Sequence, residues 1–233
     1  MNKAKKMNGF LYACWSVDGK VNKSFSEQFL VSFKSLKKAV PNAKVALYTN
    51  IKFDNTYGID HIIYDKNIDK TFICKAAGML KSPFQNTIYL DNDIIVVRKT
   101  ICQIFKMLSE FSFAVTYSSG GGVCPVPNGG LIAVKKSEFT NSILEKWLKK
   151  DREDGKIYWR PDLKIYDYDD QLSFEPFYRK YIKEFFILPA YFNYRPMIIG
   201  SFKKNAVLLH TRNMSTIENL TEKIIKFLKK PII

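Results

Sequence analysis

The sequence predicts an α/β sandwich, in which helices pack against a mostly parallel central sheet. The first observation is that short apolar runs alternate with amphipathic segments along the whole chain. The second is that 46% of the 233 residues are hydrophobic, which is ample for a packed core and argues against disorder. Neither an internal repeat nor a low-complexity linker divides the chain, so we expect a single domain.

Short apolar runs predict the strands of this sheet. They are bounded by Gly, Pro, Asn, Asp or charged residues, and each is too short to be a typical helix. One of them, residues 87–97 (TIYLDNDIIVV), is interrupted by three polar residues. The predicted strands span 9–15, 44–50, 61–65, 87–97, 113–117, 130–135, 185–188 and 206–211.

Amphipathic segments predict the helices. In the first, phenylalanines recur at helical spacing, and Ser24 followed by Glu27 matches a capping box at its start. The second is predicted to end at Ser82-Pro83. The last is strongly basic, which allows contact with a membrane surface as well as ordinary core packing. The predicted helices span 24–40, 70–81, 137–150 and 216–230.

Residues 118–130 (SSGGGVCPVPNGG) are too rich in Gly and Pro to predict a helix or a strand. A loop of that length inside a compact domain usually has a function. Its glycines 120–122 suit either a flexible loop or a phosphate cradle, but the segment lacks the pattern of a P-loop.

The formal charge of +15 favours an anionic partner: a nucleic acid, an anionic membrane surface or a phosphorylated ligand. Residues 176–183 interleave aromatic and basic side chains. We find no recognisable nucleic-acid recognition module, so no specific nucleic acid is expected. A bias towards Lys, Asn and Ile in the composition would also account for the charge.

The four cysteines, at 14, 74, 102 and 124, form no C-x-x-C pair. Their spacing matches neither a disulfide framework nor a zinc site, which indicates reduced thiols in a reducing compartment. The basic N-terminus has too short an apolar stretch for a signal peptide, and no run of about 18 apolar residues predicts a membrane span. We therefore expect a cytoplasmic protein, with peripheral membrane contact as an option.

Asp91 and Asp93 interrupt the apolar run 87–97 and share a face in extended geometry. Two carboxylates held that close repel each other unless a positive charge compensates them. A divalent cation does so, and Mn²⁺ or Mg²⁺ suits carboxylate and diphosphate oxygens. The alternative is a pair of turn or helix-capping aspartates, but such residues rarely interrupt a core strand.

The segment SPFQNTIYLDNDIIVV (82–97) resembles the D-x-D region of nucleotide-sugar-dependent glycosyltransferases with the GT-A fold, especially glycosyltransferase family 8 and glycogenin. Three later segments are similar to motifs of that family in the same order: PNGGLIAV (127–134), DYDDQLSF (167–174) and LLHT (208–211). The resemblance implies one GT-A domain, with a nucleotide-binding half over about 1–100, a sugar and acceptor half over about 101–215, and a basic C-terminal helix.

The resemblance also implies roles for individual residues. The metal ligands would be Asp91, Asp93 and His210. The residues facing the transferred sugar would be Asp167, Asp170 and Gln171, with Asp170 the best candidate for a carboxylate near an oxocarbenium-like centre. The donor would be bound by Ala13, Cys14, Trp15, Thr49, Lys75, Asn92, Asn128, Gly129, Gly130 and Arg212.

The chain departs from the family pattern after His210. The family usually continues with a glycine and then a lysine that holds the diphosphate, whereas this chain reads HTRNMST. Arg212 would supply the charge in its place. Taken alone, the residues also allow plainer interpretations: a buried structural histidine at 210, a solvated lysine at 75, and an acidic helix start at Asp170.

The function implied is metal-dependent transfer of a hexose, with retention, from a nucleoside-diphosphate sugar to a hydroxyl acceptor. UDP is the expected nucleotide, and the acceptor is a glycan, a protein or a lipid-linked molecule. One alternative is a sugar-phosphate nucleotidyltransferase of related fold, although its Gly-rich N-terminal loop with Arg and Lys is missing from YACWSVDGKV. Another is a basic nucleic-acid-binding protein.

Overall fold

A computed structural model describes residues 7–117, 127–154, 157–160, 165–168, 170–194 and 205–211. The strands are β1 (Asn8–Cys14), β2 (Val45–Thr49), β3 (His61–Tyr64), β4 (Asn86–Leu90), β5 (Ile94–Val96), β6 (Phe113–Tyr117), β7 (Pro127–Lys135), β8 (Ile157–Arg160), β9 (Ile165–Tyr168), β10 (Phe185–Leu188) and β11 (Leu208–His210). The α-helices are α1 (Leu30–Ala39), α2 (Cys74–Lys81), α3 (Ile104–Glu110), α4 (Glu138–Asp154) and α5 (Asp170–Lys180). A π-helical segment covers Ser24–Phe29, and 3₁₀ segments cover Lys99–Gln103, Ile182–Glu184 and Ala190–Asn193.

Seven strands form the central sheet in the order β10-β6-β7-β4-β1-β2-β3. Only β7 runs antiparallel to its neighbours, β4 and β6, and the other pairs are parallel. The prediction of an α/β fold with a mostly parallel sheet is therefore confirmed. Two small antiparallel sheets, β5 with β11 and β8 with β9, lie beside it.

Both faces of the sheet are buried, which explains why its strands are apolar runs without alternation. Along β1, Phe10 and Tyr12 join the core under α1 and α3, whereas Leu11 joins the core under α2, α4 and α5. The largest fully buried side chain, Trp147 of α4, packs against Phe174 of α5 with ring centroids 4.4 Å apart. The helices on the two faces thus hold the strand ends in fixed relative positions.

The first predicted helix exists, but its predicted capping box is wrong. Ser24 donates its hydroxyl to Gln28 instead of capping the backbone near Glu27. Asn22 Oδ1 accepts the Phe25 N–H at 3.0 Å, so an earlier asparagine satisfies the exposed amide. The helix then opens with a π-helical turn before α1 begins.

Two other predicted boundaries need correction. The helix predicted over 70–81 begins at Cys74, because the preceding residues form a turn in which the Cys74 N–H bonds the Thr71 carbonyl. The predicted loop 118–130 is wrong over 127–130, which belong to β7, where Pro127 and Asn128 pair with β6. Residues 118–126 lie outside the described part of the chain, and so does the predicted helix 216–230.

The sequence did not predict β5, α3, β8, β9 or α5 as separate elements. Residues 176–183, singled out for their basic and aromatic side chains, belong mostly to α5, where Phe174 and Tyr178 face the core. Cys14, Cys74 and Cys102 are free thiols, and Cys124 lies outside the described residues. Within the described ranges, we find no helix long and apolar enough to span a bilayer.

Candidate functional site

The D-x-D segment turns the chain sharply between β4 and β5 at the carboxyl edge of the sheet. Asp91 donates its N–H to the Gly130 carbonyl at 2.9 Å, and its own carbonyl accepts the Ile94 N–H. Thr211 donates both its N–H and its hydroxyl to the Asp93 carbonyl, at 3.0 and 2.9 Å. These bonds fix the turn against β7 on one side and the end of β11 on the other.

Three predicted metal ligands meet at this turn. Among the described residues, ligand atoms of Asp91, Asp93 and His210 all lie within 4.8 Å of one another. His210 Nε2 lies 3.2 Å from an Asp93 carboxylate oxygen. Two carboxylates and an imidazole form a donor set that fits Mn²⁺ or Mg²⁺, so the residues present suit a divalent cation.

Lys75 is buried beside this cluster, with only 2% of its surface exposed. Its ammonium lies 2.7 Å from Asp170 Oδ2, 3.3 Å from Asp91 Oδ1 and 3.1 Å from the Gly129 carbonyl. Burial opposes the charged lysine, but the carboxylates of Asp170 and Asp91 outweigh it and raise the pKa of Lys75 above its ordinary value. The plainer interpretation of Lys75 as a solvated surface lysine is therefore wrong.

Tyr89, on β4, is a neighbour that sequence reasoning missed. Its hydroxyl donates to Asp91 Oδ1 at 2.8 Å, and its ring lies 5.4 Å from the Lys75 ammonium. Burial, followed by the nearby Asp91 charge, raises the pKa of Tyr89 well above its ordinary value. The phenol thus stays protonated and orients the first aspartate of the motif.

Gly129 and Gly130 occupy a bulge in β7. Val115 of β6 pairs with Ile132, yet the next residue, Thr116, pairs with Asn128, so the residues between them have no partner on β6. A Cβ at Gly129 would lie 2.4 Å from Asp170 Oδ2, and one at Gly130 would lie 2.3 Å from His210 Cε1. Only glycine lets the backbone approach both groups this closely.

Asp170 and Gln171 open α5 on the other side of the bulge. Asp170 is 6% exposed and pairs with Lys75, so it is more than an acidic residue at a helix start. Gln171 Oε1 accepts a hydrogen bond from Asn128 Nδ2 at 3.1 Å. Asp167 lies on β9, and its role stays a prediction. Arg212 lies outside the described residues.

The remaining predicted donor residues lie at the ends of β1 and β2. Asn92 Nδ2 donates to the Ala13 carbonyl at 2.9 Å, which ties the D-x-D turn to the end of β1. Trp15 is half-buried just beyond, whereas the buried Cys14 packs in the core. The Thr49 hydroxyl, also buried, accepts the Ile51 N–H. Donor contacts by these residues stay predictions.

A pocket that the sequence did not predict opens beyond the ends of β1, β2 and β3. Its volume is about 540 Å³. One aspartate, Asp18, faces four lysines, so the lining is strongly basic, and Tyr64 gives it an aromatic wall that is 47% exposed. It is lined by Val17, Asp18, Gly19, Lys20, Val21, Asn50, Lys52, Tyr64, Lys66 and Lys70.

The sequence matches no protein-family model and no curated protein. Solved structures are similar at low identity. The glycosyltransferase GlyE of Streptococcus pneumoniae aligns with a TM-score of 0.64 and 15% identity, over 96% of this chain but 60% of its own. This chain thus spans about three fifths of the length of GlyE.

Two shorter structures align over nearly their whole length. A glycosyltransferase involved in glycosylation of the major capsid of PBCV-1 has a TM-score of 0.58 and 12% identity, covering 95% of this chain and 98% of its own. The galactosyltransferase LgtC, solved with donor and acceptor sugar analogues, has a TM-score of 0.54 and 13% identity, covering 97% and 98%. The chain therefore has the GT-A fold of these glycosyltransferases.

Proposed function

We propose that the protein is a divalent-metal-dependent glycosyltransferase that moves a hexose from a UDP-sugar to a hydroxyl acceptor, with retention. The observation that carries the proposal is the meeting of Asp91, Asp93 and His210 beside the buried Lys75–Asp170 pair. This cluster lies at the carboxyl edge of the sheet, where α/β folds bind their ligands. The likeness to solved glycosyltransferases of the same fold supports it.

Asp91, Asp93 and His210 would hold Mn²⁺ or Mg²⁺. The bound cation supplies positive charge that stabilises a diphosphate leaving group, so that group needs no proton. Asn92 fixes the turn that presents the two carboxylates, through its bond to the Ala13 carbonyl. Tyr89 holds Asp91 in place through its hydroxyl.

On the sugar-binding side of the site, the proposed roles belong to side chains and backbone of the protein. Lys75 pairs with Asp170 in a buried position, from which the carboxylate would stabilise an oxocarbenium-like centre. Gly129 and Gly130 let the sheet backbone lie directly against Asp170 and His210, since a Cβ at either position would collide with those side chains. Asn128 holds the Gln171 amide through a hydrogen bond to Oε1.

The nucleotide would lie across the ends of β1 and β2, over Ala13 to Trp15 and near Thr49. The lysine-lined pocket is on the same edge, and its positive field would attract an anionic nucleotide. We place Lys66 and Lys70 of this pocket next to the nucleoside end of the donor. A basic surface of this kind also suits an acceptor at an anionic membrane.

Hydrolysis of a panel of nucleotide sugars with and without Mn²⁺ tests the proposal. We expect release of UDP that depends on Mn²⁺ and is lost in Asp91→Asn and in Asp93→Asn. Asp60→Asn is the matched control, because Asp60 pairs with Lys44 outside the site and binds the Val45 N–H. Full activity of both site variants, or release of pyrophosphate instead of UDP, would refute the assignment.

A thermal-shift measurement checks the donor independently of turnover. A ligand that binds the native state raises its stability in proportion to the logarithm of its concentration over Kd. We expect UDP with Mn²⁺ to raise Tm more than either alone, because the metal and the diphosphate bind together. NMR of the anomeric proton in the first product then distinguishes retention from inversion.

A further inference from the structure

Asn193 lies next to the cluster of Asp91, Asp93 and His210, and sequence analysis did not single it out. Only 1% of its surface is exposed. It ends the 3₁₀ segment Ala190–Asn193 that follows Pro189. The next residue, Tyr194, donates its N–H to the Leu208 carbonyl and accepts the His210 N–H at 2.8 Å. Asn193 is therefore held at a fixed place beside β11.

The orientation of its amide follows from one backbone group. The Gly130 N–H can only donate, and it lies 2.9 Å from one side-chain atom of Asn128, which must be the oxygen. The Asn193 atom 2.6 Å from that oxygen must then be the amide nitrogen. The same nitrogen lies 2.9 Å from the Thr116 hydroxyl, so both of its protons have acceptors.

The oxygen of the Asn193 amide consequently faces His210. It lies 3.0 Å from Nδ1 of the imidazole. An amide oxygen only accepts, so Nδ1 carries a proton, which leaves Nε2 as the ring nitrogen that can bind a cation. Nε2 lies 3.2 Å from an Asp93 carboxylate oxygen. Either a proton on Nε2 or a bound cation bridges these two atoms.

We propose that Asn193 is a positioning residue that holds His210 in the Nδ1–H tautomer and so directs Nε2 to the divalent cation. The inference rests on the proposed metal site and extends it to a residue that does not touch the cation. Groups that orient a metal-bound imidazole typically change metal affinity when they are removed. Through Asn128 the same chain of bonds reaches Gln171, so the metal ligand and the sugar-facing amide share one support.

The direct test is binding of Mn²⁺ alone, followed by the loss of the free-ion signal in electron paramagnetic resonance. Asn193→Leu removes the acceptor for Nδ1–H but keeps the number and branching of side-chain heavy atoms, and we expect affinity to fall by about 10- to 100-fold. Thr116→Val is the matched control, since it removes a partner of the same amide but leaves its oxygen on His210. We expect its Mn²⁺ affinity to be unchanged.

Asn193→Asp separates tautomer control from general packing. A carboxylate still accepts Nδ1–H but donates nothing to Asn128 or Thr116, so stability falls while Nε2 stays directed to the cation. We expect Asn193→Asp to bind Mn²⁺ more tightly than Asn193→Leu. Equal loss of affinity in both variants would mean that Asn193 acts only through packing, and would overturn the inference.

Nitrogen NMR of the histidine rings in the metal-free protein gives a readout without metal or activity. The chain has two histidines, so His61, which packs on Phe84 at 5.5 Å, is an internal reference. At a pH high enough for the nitrogen shifts themselves to show a neutral ring, we expect His210 to show Nδ1–H in the wild type and a tautomer mixture in Asn193→Leu. A wild-type Nε2–H ring refutes the inference.

The outcomes separate the two proposals. Tight Mn²⁺ binding by the wild type and an equally tight, folded Asn193→Leu variant would overturn the role of Asn193 and leave the proposed function standing. A wild type that binds neither Mn²⁺ nor UDP would overturn both. Asp93→Asn serves as the positive control for loss of the metal site itself.

Discussion

The Lys75 ammonium lies 2.7 Å from an Asp170 carboxylate oxygen, and both side chains are almost completely excluded from water. The pair joins α2 to the first residue of α5 and sits directly against the D-x-D turn, because Lys75 also contacts Asp91. Removing either partner of a buried ion pair leaves the other as an unpaired charge away from water, which destabilises the fold. The candidate site therefore depends on this pair for structure as well as for charge.

Replacing Lys75 by Met should destabilise the protein by about 3–5 kcal/mol, because Asp170 is left as an uncompensated buried charge. Urea unfolding followed by circular dichroism measures the change. Lys81→Met is the matched control on the same helix, where Lys81 is half-exposed and pairs with Asp65. An exposed pair contributes about 1 kcal/mol or less, so similar losses in the two variants would contradict this account.

Gly130→Ala should weaken Mn²⁺ binding, because the added Cβ would lie 2.3 Å from the His210 ring and must displace it. Gly9→Ala is the control: its Cβ would meet the Phe84 ring at 2.3 Å, in the core and away from the site. We expect both variants to lose stability, and only Gly130→Ala to lose metal affinity per folded molecule. Titration with Mn²⁺ of samples shown to be folded distinguishes them.

Lys66→Met should weaken binding of UDP by up to about 1 kcal/mol, the usual range for an exposed charge contact. The effect should shrink as salt is raised, because exposed charges are screened. Lys34→Met removes the same charge from an exposed position on α1 that does not line the pocket. If calorimetry gives the same change for both variants, the pocket does not bind the nucleotide.

Acid should destabilise the protein partly through Asp65. A hydrogen bond from Lys81, joined by one from the Tyr48 hydroxyl at 2.7 Å, lowers the pKa of Asp65 to about 2. The unfolded chain takes up this proton at a pH of about 4, so stability is present above that value and is lost as pH falls towards 2. Unfolding curves at several pH values should show a smaller acid loss in Asp65→Asn than in the wild type.

Much of the fold follows from local patterns in the sequence. Buried strands such as β2 and β4 are uninterrupted apolar runs, and the acidic break after Leu90 marks the edge where the site forms. The prediction that Asp91 and Asp93 would meet His210, which the family resemblance implied, is confirmed, and the pairing of β5 with β11 brings the three together. Signals carried by a few neighbouring residues are sufficient for the strands and the acidic break, but not for this meeting.

The rest depends on contacts between distant segments. β5 is three residues long and exists because it pairs with β11, more than a hundred positions later. Asn193, in AYFNYRP, is one of many asparagines, and only the fold brings it to His210. The start of β7 is rich in Gly and Pro, which predicts a loop, yet its pairing with β6 at Pro127 and Asn128 overrides that preference.

The bulge in β7 bears on which part of the protein would select the sugar donor and which part would select the acceptor. Under the proposed function, sheet backbone at Gly129 and Gly130, packed against Asp170 and His210, would lie beside the transferred sugar. We expect chimeras that exchange surrounding surface loops with those of other enzymes to keep their sugar donor and change only the molecule that receives it. Altering the donor instead would require redesign of the sheet's interior.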